Sequence, residues 1–105
     1  MRSGDLTGRQ KRYLRGLAHG LKPVVLIGRN GLTESVRDSI DDALSRHELV
    51  KVKFGEAKDE KDEICDNLDE ELGSRRVGMV GHVAILYRQA EDPERRRIRL
   101  PDSEP

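Results

Sequence analysis

Four consecutive apolar residues, Val24-Val25-Leu26-Ile27, run directly into Gly28-Arg29-Asn30-Gly31, and Leu32-Thr33 then leads into a helix-start signal. This order asks for a strand, a glycine-bracketed loop and a helix. A strand with no polar side chain over four residues is expected to be covered on both faces. The glycines at 28 and 31 allow φ > 0 or close approach of the backbone to a ligand. A loop of this kind ahead of a helix N-terminus offers backbone N–H groups and a partial positive charge, and Arg29 at its tip adds a planar, bidentate phosphate binder. Phosphate is the expected guest, although a bare G-x-x-G recurs by chance in many chains and most often marks an ordinary turn.

The surroundings strengthen the phosphate reading. From Leu6 to Thr33 the chain carries Arg9, Lys11, Arg12, Arg15, Lys22 and Arg29 and no Asp or Glu, in a protein whose formal net charge is zero. Solvated helix faces normally mix both signs, so a single-signed stretch points to a polyanionic partner. A length of 105 residues suits one domain. With 34% hydrophobic and 3% aromatic residues, its core must be thin and built from Val, Leu and Ile. No run is long enough to span a membrane and the N-terminus lacks the apolar stretch of a signal peptide, so a cytoplasmic location is expected. The single cysteine, Cys65, excludes an intramolecular disulfide and a cysteine-based zinc site.

Along the chain, residues 1–5 are expected to be flexible, residues 6–88 to form the domain, and 89–105 a basic, partly disordered tail with a short edge strand near Ile98 and Leu100. Thr7 and Gln10 have the spacing of a capping box, which starts the first helix at about Gly8. Leu14, Leu17, Ala18 and Leu21 make its apolar stripe, with Arg12 opposite and Arg9 and Arg15 to either side. Thr33 is the expected N-cap of a second helix with Val36, Ile40, Ala43 and Leu44 inward. Residues 49–54 alternate, with Val50, Val52 and Phe54 on one side and Lys51 and Lys53 on a wet, positive one.

Residues 56–71 hold nine acids and two lysines, yet Ala57, Ile64, Cys65, Leu68 and Leu72 keep a helical stripe, ended by Gly73. Lys61 falls within that stripe, so either its head snorkels out or the third helix begins later. Glu70 and Glu71 lie at the unfavourable end of the helix dipole, with Arg75 and Arg76 as candidates to offset them. Val77–Val80 and Val83–Tyr87 flank Gly81-His82 as a hairpin with a II′ turn, its second strand apolar throughout and therefore central. The order α-β-α-β-α-β-β places the second and third helices on one face of a four-stranded mixed sheet, an α/β (α+β) fold. The first helix is left to cover strand one on the other face, bringing its cationic side to the Gly28–Gly31 loop.

Taken together, Gln10–His19, Leu21–Thr33, His47–Lys53 and Val83–Arg88 resemble the small stand-alone CRM-domain proteins of bacteria, the YhbY type. The resemblance covers roughly Leu6 to Pro101. It implies a fold similar to the C-terminal domain of bacterial translation initiation factor three and RNA binding through a basic surface that includes the G-x-x-G loop. It also implies association with precursors of the large ribosomal subunit and no enzymatic activity. The family's loop glycines fall on Gly28 and Gly31 and its loop cation on Arg29, where many relatives carry Lys. The expected RNA-binding set is Gly28, Arg29, Asn30, Gly31, Arg9, Lys11, Arg12, Arg15, Lys22, Lys51 and Lys53.

The expected partner is structured RNA, a large-subunit ribosomal RNA precursor, met by a monomer that reads shape and backbone. Only Tyr13, Phe54 and Tyr87 are aromatic, too few for a base-stacking code. A KH-like clamp of single-stranded RNA also uses a G-x-x-G loop, but between two helices rather than after a strand. A protein adaptor built on the acidic third helix, binding a basic ribosomal protein, is a further alternative. The longer glycine loop of a P-loop and the third glycine of a dinucleotide fold are both missing. His19, His47 and His82 are scattered without ligand spacing, so no catalytic residue, metal or cofactor is expected.

Overall fold

Thr7 and Gln10 close the first helix as their spacing foretold. The Gln10 N–H donates to Thr7 Oγ1 at 3.0 Å and the Thr7 N–H to Gln10 Oε1 at 3.0 Å, which satisfies two donors that a helix start leaves without partners. The structure, a computed structural model, describes residues 6–101; the five N-terminal residues expected to be flexible, and 102–105 of the tail, lie outside that range. In order the elements are α1 (Gly8–Ala18), β1 (Pro23–Ile27), α2 (Glu34–His47), β2 (Leu49–Phe54), α3 (Lys61–Leu72), β3 (Arg75–Val80) and β4 (Val83–Tyr87).

The strands form one sheet in the order β1-β2-β4-β3, with β1 parallel to β2 and β4 antiparallel to both neighbours. α2 and α3 lie on the same face, as expected. Their buried Ile40, Leu44, Ile64, Cys65 and Leu68 pack on Ile27, Val50, Val52, Phe54, Ala84 and Leu86. α1 takes the opposite face, where Leu14 and Ala18 meet Leu49, Val77, Ile85 and Tyr87. This α+β arrangement is the one the chain order implies, and β4 is central and buried as its apolar run suggested.

Two local devices fix the hairpin and the third helix. Gly81 takes φ 60° while His82 stays out of the left-handed region, the combination of a II′ turn rather than I′. α3 begins at Lys61, after a 3-10 turn at Lys58–Glu60, and Lys61 Nζ reaches the carbonyl of Gly81 at 2.9 Å and His82 Nδ1 at 3.1 Å. The later start and the outward reach thus both occur. Gly73 ends α3 with φ 74°, the left-handed conformation that glycine adopts without a Cβ penalty. The acids of α3 are paired differently from expectation. Arg76 takes Asp62 at 2.7 Å and Asp66 at 3.9 Å, while Glu71 pairs with Arg37 of α2. Asp69 turns inward to accept from Ser74 Oγ at 2.7 Å and from the Arg76 N–H at 3.1 Å, which secures the turn into β3.

The expectation for strand one needs correction. β1 is an edge strand, and its apolar run is buried on one side only, with Val24 50% and Leu26 61% exposed. α1 does not cover it; the helix packs on β3, β2 and β4 instead. Leu17 and Leu21, assigned to the apolar stripe of α1, are accordingly exposed. The physical reason lies in strand order: β1 has one neighbour, and a single helix of eleven residues on that face spans only about 16 Å.

The tail also differs. Residues 96–100 form no strand; they run as irregular chain fastened by Glu48, a buried residue at the end of α2 with φ 65°. Glu48 Oε2 accepts from the Ala90 N–H at 2.7 Å, and Oε1 from the Arg97 and Ile98 N–H groups at 2.8 and 3.0 Å. Ile98 and Leu100 pack beside Leu6 on the α1 side, and Gln10 Nε2 donates to the Pro101 carbonyl at 3.0 Å.

Candidate nucleic-acid interface

The loop after β1 is a tight turn closed by the Gly31 N–H on the Gly28 carbonyl at 3.0 Å, which leaves Arg29 and Asn30 at an exposed tip. Gly31 holds φ 68°, so glycine is required there; Gly28 has no positive φ, and a Cβ on it would meet open space. Arg29 is 87% exposed and lies 3.8 Å from Glu56, itself 58% exposed. Such a loose surface pair is worth about 0–1 kcal/mol and leaves the guanidinium available to an incoming anion. The N-terminus of α2 contributes less than expected, because Thr33 Oγ1 already accepts from the Val36 N–H at 3.1 Å and Glu34 occupies the first turn. The exposed positive charge of this turn is therefore that of Arg29.

The remaining basic residues divide by what they touch. Arg15 Nη1 donates to the Val77 carbonyl at 2.8 Å, fastening α1 to β3, and its stem lies over Gly78, where an added Cβ would come within 2.7 Å of Arg15 Cδ. Lys51 Nζ donates to the Leu21 carbonyl at 2.9 Å and so tethers the link between α1 and β1. Both therefore have structural work besides their charge. Arg9, Arg12 and Lys22 are exposed around α1 and Lys11 is half-buried. Lys53 is exposed on the sheet face that α1 shares.

None of the four strands contains an Asp or Glu, and neither does the segment from Leu6 to Thr33, so α1 and the sheet face beneath it contribute apolar and cationic side chains and no carboxylate. Among the described residues the acids fall in α2, in α3 and the link before it, at Glu48, and in the tail after β4. The cationic side of α1 does not adjoin the loop as expected: α1 covers the end of the sheet at Leu49 and Tyr87, and an open strip around Leu26 and Lys53 separates it from Gly28. That strip escaped sequence reasoning because an apolar edge strand and an apolar central strand have the same composition.

Other polar sites are structural. Arg88, at the end of β4, donates to Asp41 Oδ1 at 2.6 Å, to Ser45 Oγ at 2.8 Å and to the Leu72 carbonyl at 3.0 Å, so it ties α2 to the end of α3. Burial pushes the Cys65 thiol up to about 11, with the Arg76 guanidinium pulling weakly the other way, so the thiol stays protonated near neutral pH. Among the described residues no group of His, Cys, Asp and Glu is placed to hold a metal ion, and no helix is long and apolar enough to cross a membrane.

Known proteins share this sequence and fold. Residues 6–88 match the CRS1 / YhbY (CRM) domain. A Haemophilus influenzae protein named "RNA-binding protein" is 43% identical over 97 residues, covering 91% of this chain and 95% of the relative. The Bacillus subtilis "Probable RNA-binding protein YqeI" is 33% identical over 97 residues, covering 91% and 99%. The solution structure of a Staphylococcus aureus protein described as a candidate RNA-binding protein superposes with a TM-score of 0.74 at 36% identity, covering 90% of this chain and all of that one. On the match across residues 6–88 and on these relatives, the chain belongs to the CRS1/YhbY (CRM) domain family.

Proposed function

We propose that this protein binds structured RNA without catalysing a reaction, and that it acts on large-subunit ribosomal RNA precursors during ribosome assembly in the cytoplasm. The observation that carries the reading is the acid-free run from Leu6 to Thr33 in a chain whose net charge is zero, with the exposed Arg29 near one end of it. A polyanion gains there from cations concentrated on neighbouring elements, and the names of the relatives support RNA as that polyanion. In this reading Arg29 grips one phosphate, Asn30 and the turn backbone adjoin it, and Lys53, Lys22, Arg12, Lys11 and Arg9 carry the rest of the strand. Arg15 and Lys51 add charge from tethered positions.

Salt titration of full-length protein with a structured RNA tests the reading. If about five phosphates are neutralised, log K should fall by roughly four for each tenfold rise in salt. A slope near zero sinks it. Arg29→Ala should weaken binding by about 1.5–3 kcal/mol with unfolding unchanged, and Arg29→Lys should fall between, since it keeps the charge and loses the planar fork. Co-sedimentation with ribosomal subunits and their precursors tests the assignment to the large subunit. A basic ribosomal protein on α3 is the secondary reading; Asp62, Asp66, Asp69 and Glu71 already have partners within the chain, which lowers the charge it would find.

A further inference from the structure

One row of side chains crosses the entire sheet on the α1 side: Leu26 of β1 pairs with Lys53 of β2, Lys53 with Val83 of β4, and Val83 with Val80 of β3. α1 covers the rows beyond it on β2, β4 and β3 but not this one. Leu26 is 61% and Val80 67% exposed, and Val24 beside them is 50% exposed. The row ends two residues before Gly28, so it is continuous with the proposed phosphate-binding turn.

We infer that this row is a platform for the faces of unpaired bases, so that the preferred ligand is RNA with a bulge or loop rather than an uninterrupted duplex. The inference rests on the RNA-binding reading and narrows it. A continuous duplex presents phosphate and ribose at its surface, and exposed aliphatic side chains gain little from either. A base released from its stack presents an apolar π face, and covering it with Leu26 and Val80 removes both surfaces from water. Its flanking phosphates then meet Lys53 within the row and Arg29 at its end.

Charge decides between RNA and protein as the occupant. Lys53 stands in the middle of the row, and no carboxylate lies in any strand; lysine is depleted from the cores of protein interfaces but is ordinary where a backbone of phosphates must be followed. Aliphatic contact with a base face is tolerant of base identity, so the platform selects unpaired structure rather than sequence.

The test measures affinity at one salt concentration for three RNAs: a continuous hairpin duplex, the same duplex with a bulge of unpaired nucleotides, and the bulged form with abasic sugars in the bulge. Full-length protein should bind the bulged RNA about tenfold more tightly than the other two, a low value for base contacts. Leu26→Ser with Val80→Ser should abolish that preference while leaving duplex affinity and the salt slope unchanged. Leu26→Tyr, which offers an aromatic surface on an exposed strand position, should raise affinity for the bulged RNA severalfold. RNA binding with no preference for the bulge, or a preference that survives in the double variant, overturns the platform; the RNA-binding reading would stand and the row would fall to a protein partner. Failure of every RNA to bind overturns both.

Discussion

Replacing Glu48 by alanine isolates the contact that holds the tail. The carboxylate is 1% exposed and accepts three backbone N–H groups, from Ala90, Arg97 and Ile98, at 2.7–3.0 Å. Hydrogen bonds to a charged acceptor are worth about 1.5–3 kcal/mol each, so a plain sum would reach roughly 4.5–9 kcal/mol. That sum overstates the loss, because the released segment can swing away and hydrate its N–H groups. The cost is then bounded by what docking of residues 90–98 contributes, and we expect about 2–4 kcal/mol. Backbone strain supplies an internal control. Glu48 holds φ 65°, a conformation costing about 1–3 kcal/mol for a residue with a Cβ, so Glu48→Gly should be less destabilised than Glu48→Ala by about 1 kcal/mol. Urea unfolding gives the stability of both variants, and amide exchange at Ala90, Arg97 and Ile98 reads the tail directly. If those three amides exchange as slowly in Glu48→Ala as in the parent protein, the carboxylate does not hold the segment and the reasoning fails.

Gly31→Val should lower the melting temperature because of its positive φ, whereas Gly28→Ala should unfold like the parent; equal effects on stability would refute the assignment of strain to Gly31 alone. Stability should fall as pH rises from about 9 to about 12. Burial raises Cys65 to about 11 and Tyr87 to about 12, the latter with help from the Glu48 carboxylate, so above their ordinary values the unfolded chain releases protons that the folded chain keeps; unfolding curves that do not move across that window would contradict it. Asp69→Asn should destabilise the fold by removing a charged acceptor from the α3–β3 turn, while Asp66→Asn and Glu70→Gln leave both stability and RNA affinity nearly unchanged, as denaturant titration and RNA binding of the three variants would show.

Elements set by residues a few positions apart were legible before the structure. Thr7 with Gln10, Gly73 after Leu72, and Gly81 before His82 each satisfy a local geometric need, and each appears where its spacing put it. The placement of α2 and α3 on one face followed from chain order and hydrophobic stripes. Features that depend on strand order were not legible. Val24 and Leu26 are as apolar as Ile85 and Leu86, yet the first pair lies on an edge and the second at the centre of the sheet, which long-range pairing alone decides. Glu48 sits among helix-end residues in the sequence, while its partners lie 42 to 50 residues away, so no local pattern announces it. For the candidate interface, the loop and the cations could be named from sequence, but the tethering of Arg15 and Lys51 to carbonyl groups and the open row beside Lys53 could not.

The acid-free run through α1 and β1, set against the many carboxylates of α2 and α3, makes the isoelectric point a poor guide to how this molecule meets a polyanion. Its shorter dimensions are 26 and 24 Å, while at physiological ionic strength a charge is felt over only about 8 Å. An RNA at the α1 side therefore encounters a basic protein, with the carboxylates of α3 hidden behind several screening lengths. At about 0.01 M salt the screening length grows to roughly 30 Å, longer than the molecule is thick, and the acidic face begins to repel the same RNA. A plot of log affinity against log salt should consequently bend over at the dilute end, where a uniformly basic protein would continue straight.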